Sequence, residues 1–288
     1  MRDLNYQIKG ICNRNKDGSY ATQAARLRNL DLMANQLHDL GFRHLKATGL
    51  KPKHVVALVQ QWKKESIAIG TIKNRMSHLR WWAEKIGKLD MIPDKNSAYN
   101  IDNRNYVTNI SKAKDLPVET LDKITNINVR VSLQLQAAFG LRREECLKFQ
   151  PSFADKGSSI VLKSSWCKGG KQREIPITNE LQREVLELAH QVAGRGSMIP
   201  PKLSYIQQVS RYRSECEKVG LSKMHGLRHA YAQARYLELT GWKAPSVGGP
   251  RSKELSKEQK EKDKEMRLII SKELGHEREA ITATYLGR

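Results

Sequence analysis

Two adjoining stretches decide the fold: Val129–Phe149, VRVSLQLQAAFGLRREECLKF, and Ser158–Thr178, SSIVLKSSWCKGGKQREIPIT. The first reads as an apolar helix broken near Gly140. In the second, two β-like runs, SSIVLKSSW and QREIPIT, flank CKGGK, whose paired glycines suit a tight turn. Helical spacing resumes at LQREVLELAHQVA (181–193) and SYIQQVSRYRSECEKVG (204–220), so the expectation is a small β-hairpin inside a mainly helical domain. That domain opens with LPVETLDKITNI (116–127), a helix start with Pro117 in an early position.

Working outward, residues 92–114 (IPDKNSAYNIDNRNYVTNISKAK) are polar, Asn-rich and aperiodic, as an interdomain linker is. The expected domains are therefore 1–100 and 115–288. In the first, the stretch from Thr22 to Lys88 reads as short helices separated at Gly41, at Gly49–Pro52 and at Gly70, with apolar faces such as Leu30, Met33, Leu37 and Leu40. After Gly70, TIKNRMSHLRWWAEKIGK sets Ile72, Met76, Leu79 and Ala83 on one face, while Lys73, Arg75 and Arg80 are expected to project from the others and to contact DNA. Residues 246–266, SVGGPRSKELSKEQKEKDKEM, are nearly all charged or small and read as a flexible surface insertion or an exposed helix.

Composition narrows the function classes. The 288 residues are 39% hydrophobic, enough for a core in each of two domains. No run approaches the ~20 apolar residues of a membrane span and MRDLNYQIKG lacks a signal-peptide core, which points to the cytoplasm. Cys12, Cys146, Cys167 and Cys216 are scattered, so reduced thiols and no metal site are expected. The 51 Lys and Arg against 30 Asp and Glu leave a net charge of +21, which draws a protein toward polyanions, nucleic acid first among them.

Five patches carry reactive residue types in the order GLRREE, CKGGK, HGLRH, LGHE and TATYLGR. Arg142 has Glu145 at i+3, within pairing reach; Lys168 and Lys171 flank the hairpin glycines. His225 and Arg228 share a helix face, whereas His229 points ~100° away and reads as a packing residue. His276 follows a glycine and precedes Tyr285 by nine residues.

In this order the patches resemble the tyrosine recombinase and phage integrase family, whose pattern is Arg, Lys, His-x-x-Arg, His or Trp, and Tyr. The resemblance covers the whole second domain and extends loosely to the first, where Thr71, Arg75 and Leu79 look like the last helix of a SAM-like core-binding domain. It implies a helical core-binding domain and a catalytic domain forming a C-shaped DNA clamp. It implies that Arg142 and Arg228 hold the scissile phosphate, that His225 bonds it and helps handle the tyrosine proton, and that His276 orients the same centre. It implies likewise that Glu145 buttresses them, that Lys168, with Lys171 second, protonates the departing 5′ oxygen, and that Tyr285 is the nucleophile. No cofactor is implied. The partners implied are duplex DNA at specific core sites, a homotetramer on two such sites, and an accessory DNA-bending or directionality protein. Integration or excision of a mobile element is favoured, with Xer-like multimer resolution or a non-catalytic DNA-binding protein of the same fold as alternatives. A type IB topoisomerase shares the chemistry but calls for a different domain layout.

Overall fold

The computed structural model describes residues 2–288, and the chain divides into two compact units, Met1–Asn105 and Tyr106–Arg288. The division lies inside the Asn-rich stretch read as a linker, but that stretch is not free chain. Ile92 and Ile101 are buried in the first unit, and the Lys63 ammonium donates to the Tyr99 and Asn100 carbonyls at 2.9 and 2.7 Å. Its other end belongs to the second unit, where the Lys114 amide donates to the Gly226 carbonyl at 3.2 Å. Sparse apolar anchors and backbone hydrogen bonds hold it, which a search for periodicity cannot see.

The first unit packs α1 (Asp3–Arg14), α2 (Tyr20–Asp39), α3 (Pro52–Lys64) and α4 (Ile69–Lys85) around Leu30, Met33, Leu37, Leu58, Trp62, Met76, Leu79 and Trp82. The three buried indoles are satisfied: Trp62 donates to Gln36 Oε1 at 2.9 Å, Trp81 to Asp17 Oδ2 at 2.7 Å and Trp82 to the Ala47 carbonyl at 3.0 Å. Two expectations need correction. Gly70 lies inside α4, and the chain turns instead before it, at Ser66, whose φ is +53°. Arg75 does not project: three residues after Ile72, it lies on the buried face, with its guanidinium 5.1 Å from the Trp62 ring centroid.

The second unit is the larger. The short α5 (Val118–Asp122) precedes α6 (Ile127–Phe139), which starts where the Asn126 side chain accepts the Val129 amide and stops at Gly140, φ +59°. Two short helices follow, α7 (Arg143–Lys148) and α8 (Pro151–Ala154). The strands β1 (Ser159–Leu162) and β2 (Arg173–Pro176) then pair antiparallel, Ile160 opposite Ile175 and Leu162 opposite Arg173. The connection is longer than the tight turn expected, and CKGGK is only its tip: the Gly170 amide bonds the Cys167 carbonyl at 3.0 Å, with Gly169 and Gly170 both at positive φ. The remaining helices are α9 (Glu180–Ala193), α10 (Tyr205–Lys218), α11 (Gly226–Thr240), α12 (Lys257–Glu273) and α13 (Ala283–Leu286). The charged segment 246–266 is irregular up to Ser256 and then enters α12, a helix whose outer face is charged and whose inner face buries Asp263 and Arg267.

Gly140 marks where the core and the site meet. A Cβ there would stand 2.5 Å from Tyr231 Cδ1, in a backbone conformation that L side chains rarely adopt. Gly140→Ala is expected to destabilise the second unit by about 1–3 kcal/mol in urea unfolding; an unchanged midpoint would show that Tyr231 yields freely.

Candidate active site

Two helix C-termini build the floor of the site. Helix α12 ends in a Schellman motif: the His276 amide bonds the Ser271 carbonyl at 2.8 Å, the Gly275 amide bonds Lys272 at 2.8 Å, and Gly275 takes φ +69°. This is the physical content of Leu-Gly-His. The motif leaves the Leu274 carbonyl free and throws His276 past the helix end. Helix α6 ends at Gly140, whose carbonyl is likewise directed outward. Both ends carry the negative pole of their helix, and both face guanidinium groups.

Arg228 on α11 takes up those carbonyls. It is fully buried; Nη1 donates to the Gly140 carbonyl at 2.6 Å, Nη2 to the Leu274 carbonyl, and Nε to the Tyr285 hydroxyl at 3.2 Å. Among the described residues it meets no carboxylate. Burial, and then the charges of Arg142 and Arg173, bring its pKa down to about 10 despite the opposing pull of Tyr285. Arg142 donates from Nη2 to the same Leu274 carbonyl at 3.2 Å, so both guanidiniums converge on one oxygen.

Arg142 is held from its other side by Glu145. That carboxylate, with no exposed surface, accepts the Arg142 amide at 2.6 Å and its Nη1 at 2.8 Å. It also takes both terminal nitrogens of Arg173, at 2.8 and 2.7 Å. Burial alone would raise the Glu145 pKa; Arg173 and Arg142 outweigh it and hold it at about 2. Arg173 was not singled out in the sequence, yet a signal was there. In QREIPIT it falls two residues before Ile175, on the inward face of β2.

Tyr285 lies on α13, 7% exposed, ringed by imidazoles: His229 with centroids 4.7 Å away, His225 at 6.2 Å and His276 at 6.4 Å. His276 Nε2 is 3.5 Å from Arg142 Nη2. His229 is buried, as a packing residue should be, but what it packs against is the tyrosine. Burial, then the nearby cations, depress the pKa of all three imidazoles, and those of His229 and His276 stand at about 4. The backbone around Tyr285 is fastened to three elements. Gln233 of α11 and Ser246 donate to its carbonyl at 3.0 and 3.3 Å, and Arg267 of α12 donates to the Gly287 carbonyl at 3.0 Å. The charged segment thus ends in a helix that anchors the tyrosine.

Lys168 is exposed at the hairpin tip and makes no hydrogen bond to these groups. Lys171 is the lysine that touches the site's rim, pairing with Glu277, the neighbour of His276. In the first unit, Lys73 reaches Asn103 Oδ1 at 3.3 Å, and Arg80 is spent on the Pro93 carbonyl, at 2.8 Å from Nη2, and on Asn96. The described residues contain no group of three His, Cys, Asp or Glu placed to hold a metal ion, and no helix long and apolar enough to cross a membrane.

The depressed Glu145 pKa lies below its ordinary 4.5, so its contribution to stability is complete above that value and is lost as pH falls toward 2. His229 and His276, at about 4 against 6.5, add a second loss, because the unfolded chain takes up their protons first as pH falls from 6.5 to 4. Urea midpoints should therefore decline steadily below pH 6.5. Glu145→Gln should lower stability at pH 7 by about 3–5 kcal/mol by stripping two arginines of their counter-charge, and should flatten the profile below pH 4.5. A variant as stable as wild type would show that the arginines are compensated elsewhere.

The family described as phage integrase, N-terminal, matches residues 1–92, and the family described as integrase matches residues 104–234. No curated protein sequence matches the chain. Among solved structures, a lambda integrase dimer bound to a COC′ core site aligns with a TM-score of 0.60 at 14% identity, over 98% of this chain and 75% of that one. The Tn1549 transposon integrase in complex with circular intermediate DNA gives 0.57 at 13%, over 100% and 96%. The XerH site-specific recombinase bound to its difH substrate gives 0.56 at 13%, over 98% and 80%. At such identities the structures speak for the fold, two helical units of which the second carries a small antiparallel sheet; with the two family matches spanning most of the chain, it belongs to the tyrosine recombinases of the phage integrase family, enzymes that break and rejoin DNA strands.

Proposed function

We propose that this chain is a site-specific recombinase that cuts and rejoins strands through a 3′-phosphotyrosyl bond to Tyr285. One observation carries the reading: Arg228 is buried without a carboxylate, its donors resting on two carbonyls and the tyrosine hydroxyl. A buried cation lacking a counter-charge is costly, and an entering phosphate supplies that charge. Arg142 converges on the same point, so two guanidinium forks take the non-bridging oxygens as negative charge builds on phosphorus. Glu145 and Arg173 hold Arg142 in place, and His225 and His276 hydrogen-bond the same phosphate.

The Tyr285 oxygen attacks phosphorus in line, the bond to the 5′ oxygen breaks, and Lys168 moves inward from the hairpin tip to protonate that oxygen. Because the phosphotyrosyl bond keeps the energy of the linkage it replaced, a 5′ hydroxyl from another duplex reverses the attack and completes exchange. Integration or excision of a mobile element is the specific reaction we favour, on duplex core sites bound by four copies of the chain with an accessory DNA-bending protein. Xer-like multimer resolution uses the same residues, and the likeness to XerH suits it equally. In the first unit Lys73 remains a candidate phosphate contact, whereas Arg75 and Arg80 have structural partners.

The test is a nicked duplex, selected by binding from a random pool, that traps the covalent intermediate. Wild type should give a denaturation-resistant adduct and Tyr285→Phe none. Lys168→Ala should slow cleavage by about 10² to 10⁴-fold and recover when the bridging 5′ oxygen is replaced by sulfur, which departs without a proton. Tight binding with no adduct from wild type would leave a DNA-binding protein without catalysis.

A further inference from the structure

Under the recombinase reading the phenolic proton of Tyr285 needs an acceptor, a part that the family resemblance gives to His225. In the structure the Tyr285 hydroxyl accepts from Arg228 Nε at 3.2 Å, and among the described residues nothing accepts the proton it carries. Arg228 and Arg142, the cations nearest the reaction, are donors only.

The complementary vacancy is one ring away. His229 is 5% exposed, its ring centroid lies 4.7 Å from that of Tyr285, and its Nδ1 is enclosed with no hydrogen-bond partner in the protein. A buried polar atom left unpaired costs about 1–3 kcal/mol, so its retention calls for a partner that arrives in another state. In the tautomer protonated on Nε2, Nδ1 presents a lone pair in the interior that is free to accept. His225, the other candidate, is the more open of the two to solvent, and its centroid is 6.2 Å from that of Tyr285.

We propose that His229 is a catalytic residue, the base whose Nδ1 takes the Tyr285 proton as the phenol attacks. When phosphate enters, Arg228 turns its donors from the carbonyls and the hydroxyl to the phosphate oxygens, and the hydroxyl swings to Nδ1. The Oη–P bond then forms, the P–O5′ bond breaks, the phenolic proton passes to Nδ1, and O5′ takes a proton from Lys168. In rejoining, the 5′ hydroxyl returns its proton to Lys168 and His229 returns its own to the tyrosine. The setting keeps the imidazole neutral beforehand, which a proton acceptor requires. A weak base suffices, because the phenol is most acidic as its oxygen bonds to phosphorus. The resulting imidazolium stands beside an Arg228 whose charge the phosphate has by then balanced.

The experiment is single-turnover cleavage of the nicked duplex by wild type, His229→Phe, His229→Asn and His225→Phe. Each is prepared with ordinary tyrosine at 285 and with a fluorinated tyrosine, whose more acidic phenol needs less help. Phe keeps the ring and its packing; Asn keeps a polar group but cannot carry the proton. Both His229 variants should bind DNA like wild type and cleave about 10²-fold more slowly, unimproved by a sulfur leaving group. Fluorination should recover much of that loss while changing wild type little. Cleavage by His229→Phe near the wild-type rate, no selective recovery on fluorination, or selective recovery only in His225→Phe would overturn the proposal. Wild type in the same series keeps the two readings apart, since a wild type that forms no adduct removes the recombinase assignment itself.

Discussion

A guanidinium buried without a counter-ion is the constraint around which the second unit is arranged. Arg228 has no exposed surface and three hydrogen-bond partners, none of them charged. Isolated charge in a protein interior is tolerated only where dipoles and hydrogen bonds replace the lost water. Here two helix ends do so. Helix α6 stops at Gly140 and α12 at Leu274 because each is followed by, or ends on, a glycine in the left-handed region, and each stop leaves a carbonyl for the arginine. The glycines, the two helix lengths and the course of α11 are therefore one solution to one electrostatic demand.

The rest of the site transmits rigidity to that centre. Glu145 joins Arg142 to Arg173, and Arg173 in turn donates from Nε to the Glu273 carbonyl at 2.9 Å, one residue before the shared Leu274 carbonyl. The hairpin strand, the α7 turn and the α12 terminus thus form a closed ring of charge-assisted bonds. Glu273 adds a second brace, accepting the Tyr231 hydroxyl at 2.8 Å and the Arg235 guanidinium at 3.1 Å. Of the groups expected to act, the hairpin lysines lie outside this ring, on an exposed tip. That suits an acid that is required only once DNA has arrived.

Much of this was legible in the sequence, for reasons that can be named. Gly140 and Gly275 advertise helix ends, and the residues that follow them, Arg142 and His276, reach the centre because a helix end is where a chain changes direction. His225 and Arg228 sit one turn apart on α11, and the hairpin was visible as alternation. What could not be read depended on tertiary packing. Arg75 has a basic side chain in an exposed-looking pattern, yet its flat cation finds the Trp62 face. Helix α1, with Leu4, Ile8 and Ile11 buried, is too polar overall to announce itself. His229 was placed by helical geometry a hundred degrees from its neighbours, but no angle on one helix reveals that α13 returns to lay a tyrosine against it. The charged run that enters α12 hid its purpose similarly, since on the helix's inner face Asp263 pairs with Arg267, which donates to the Gly287 carbonyl two residues after the tyrosine.

The central claim is that a DNA strand becomes bonded to Tyr285 inside this ring of arginines and histidines. Peptide mapping of the trapped adduct reads it directly. Trypsin releases Glu279–Arg288, which holds Tyr285 as its single tyrosine, and the account predicts that this peptide carries the mass of the 3′-phosphorylated strand fragment. The same fragment found on any other peptide, or a stable adduct that leaves Glu279–Arg288 unmodified, would contradict it.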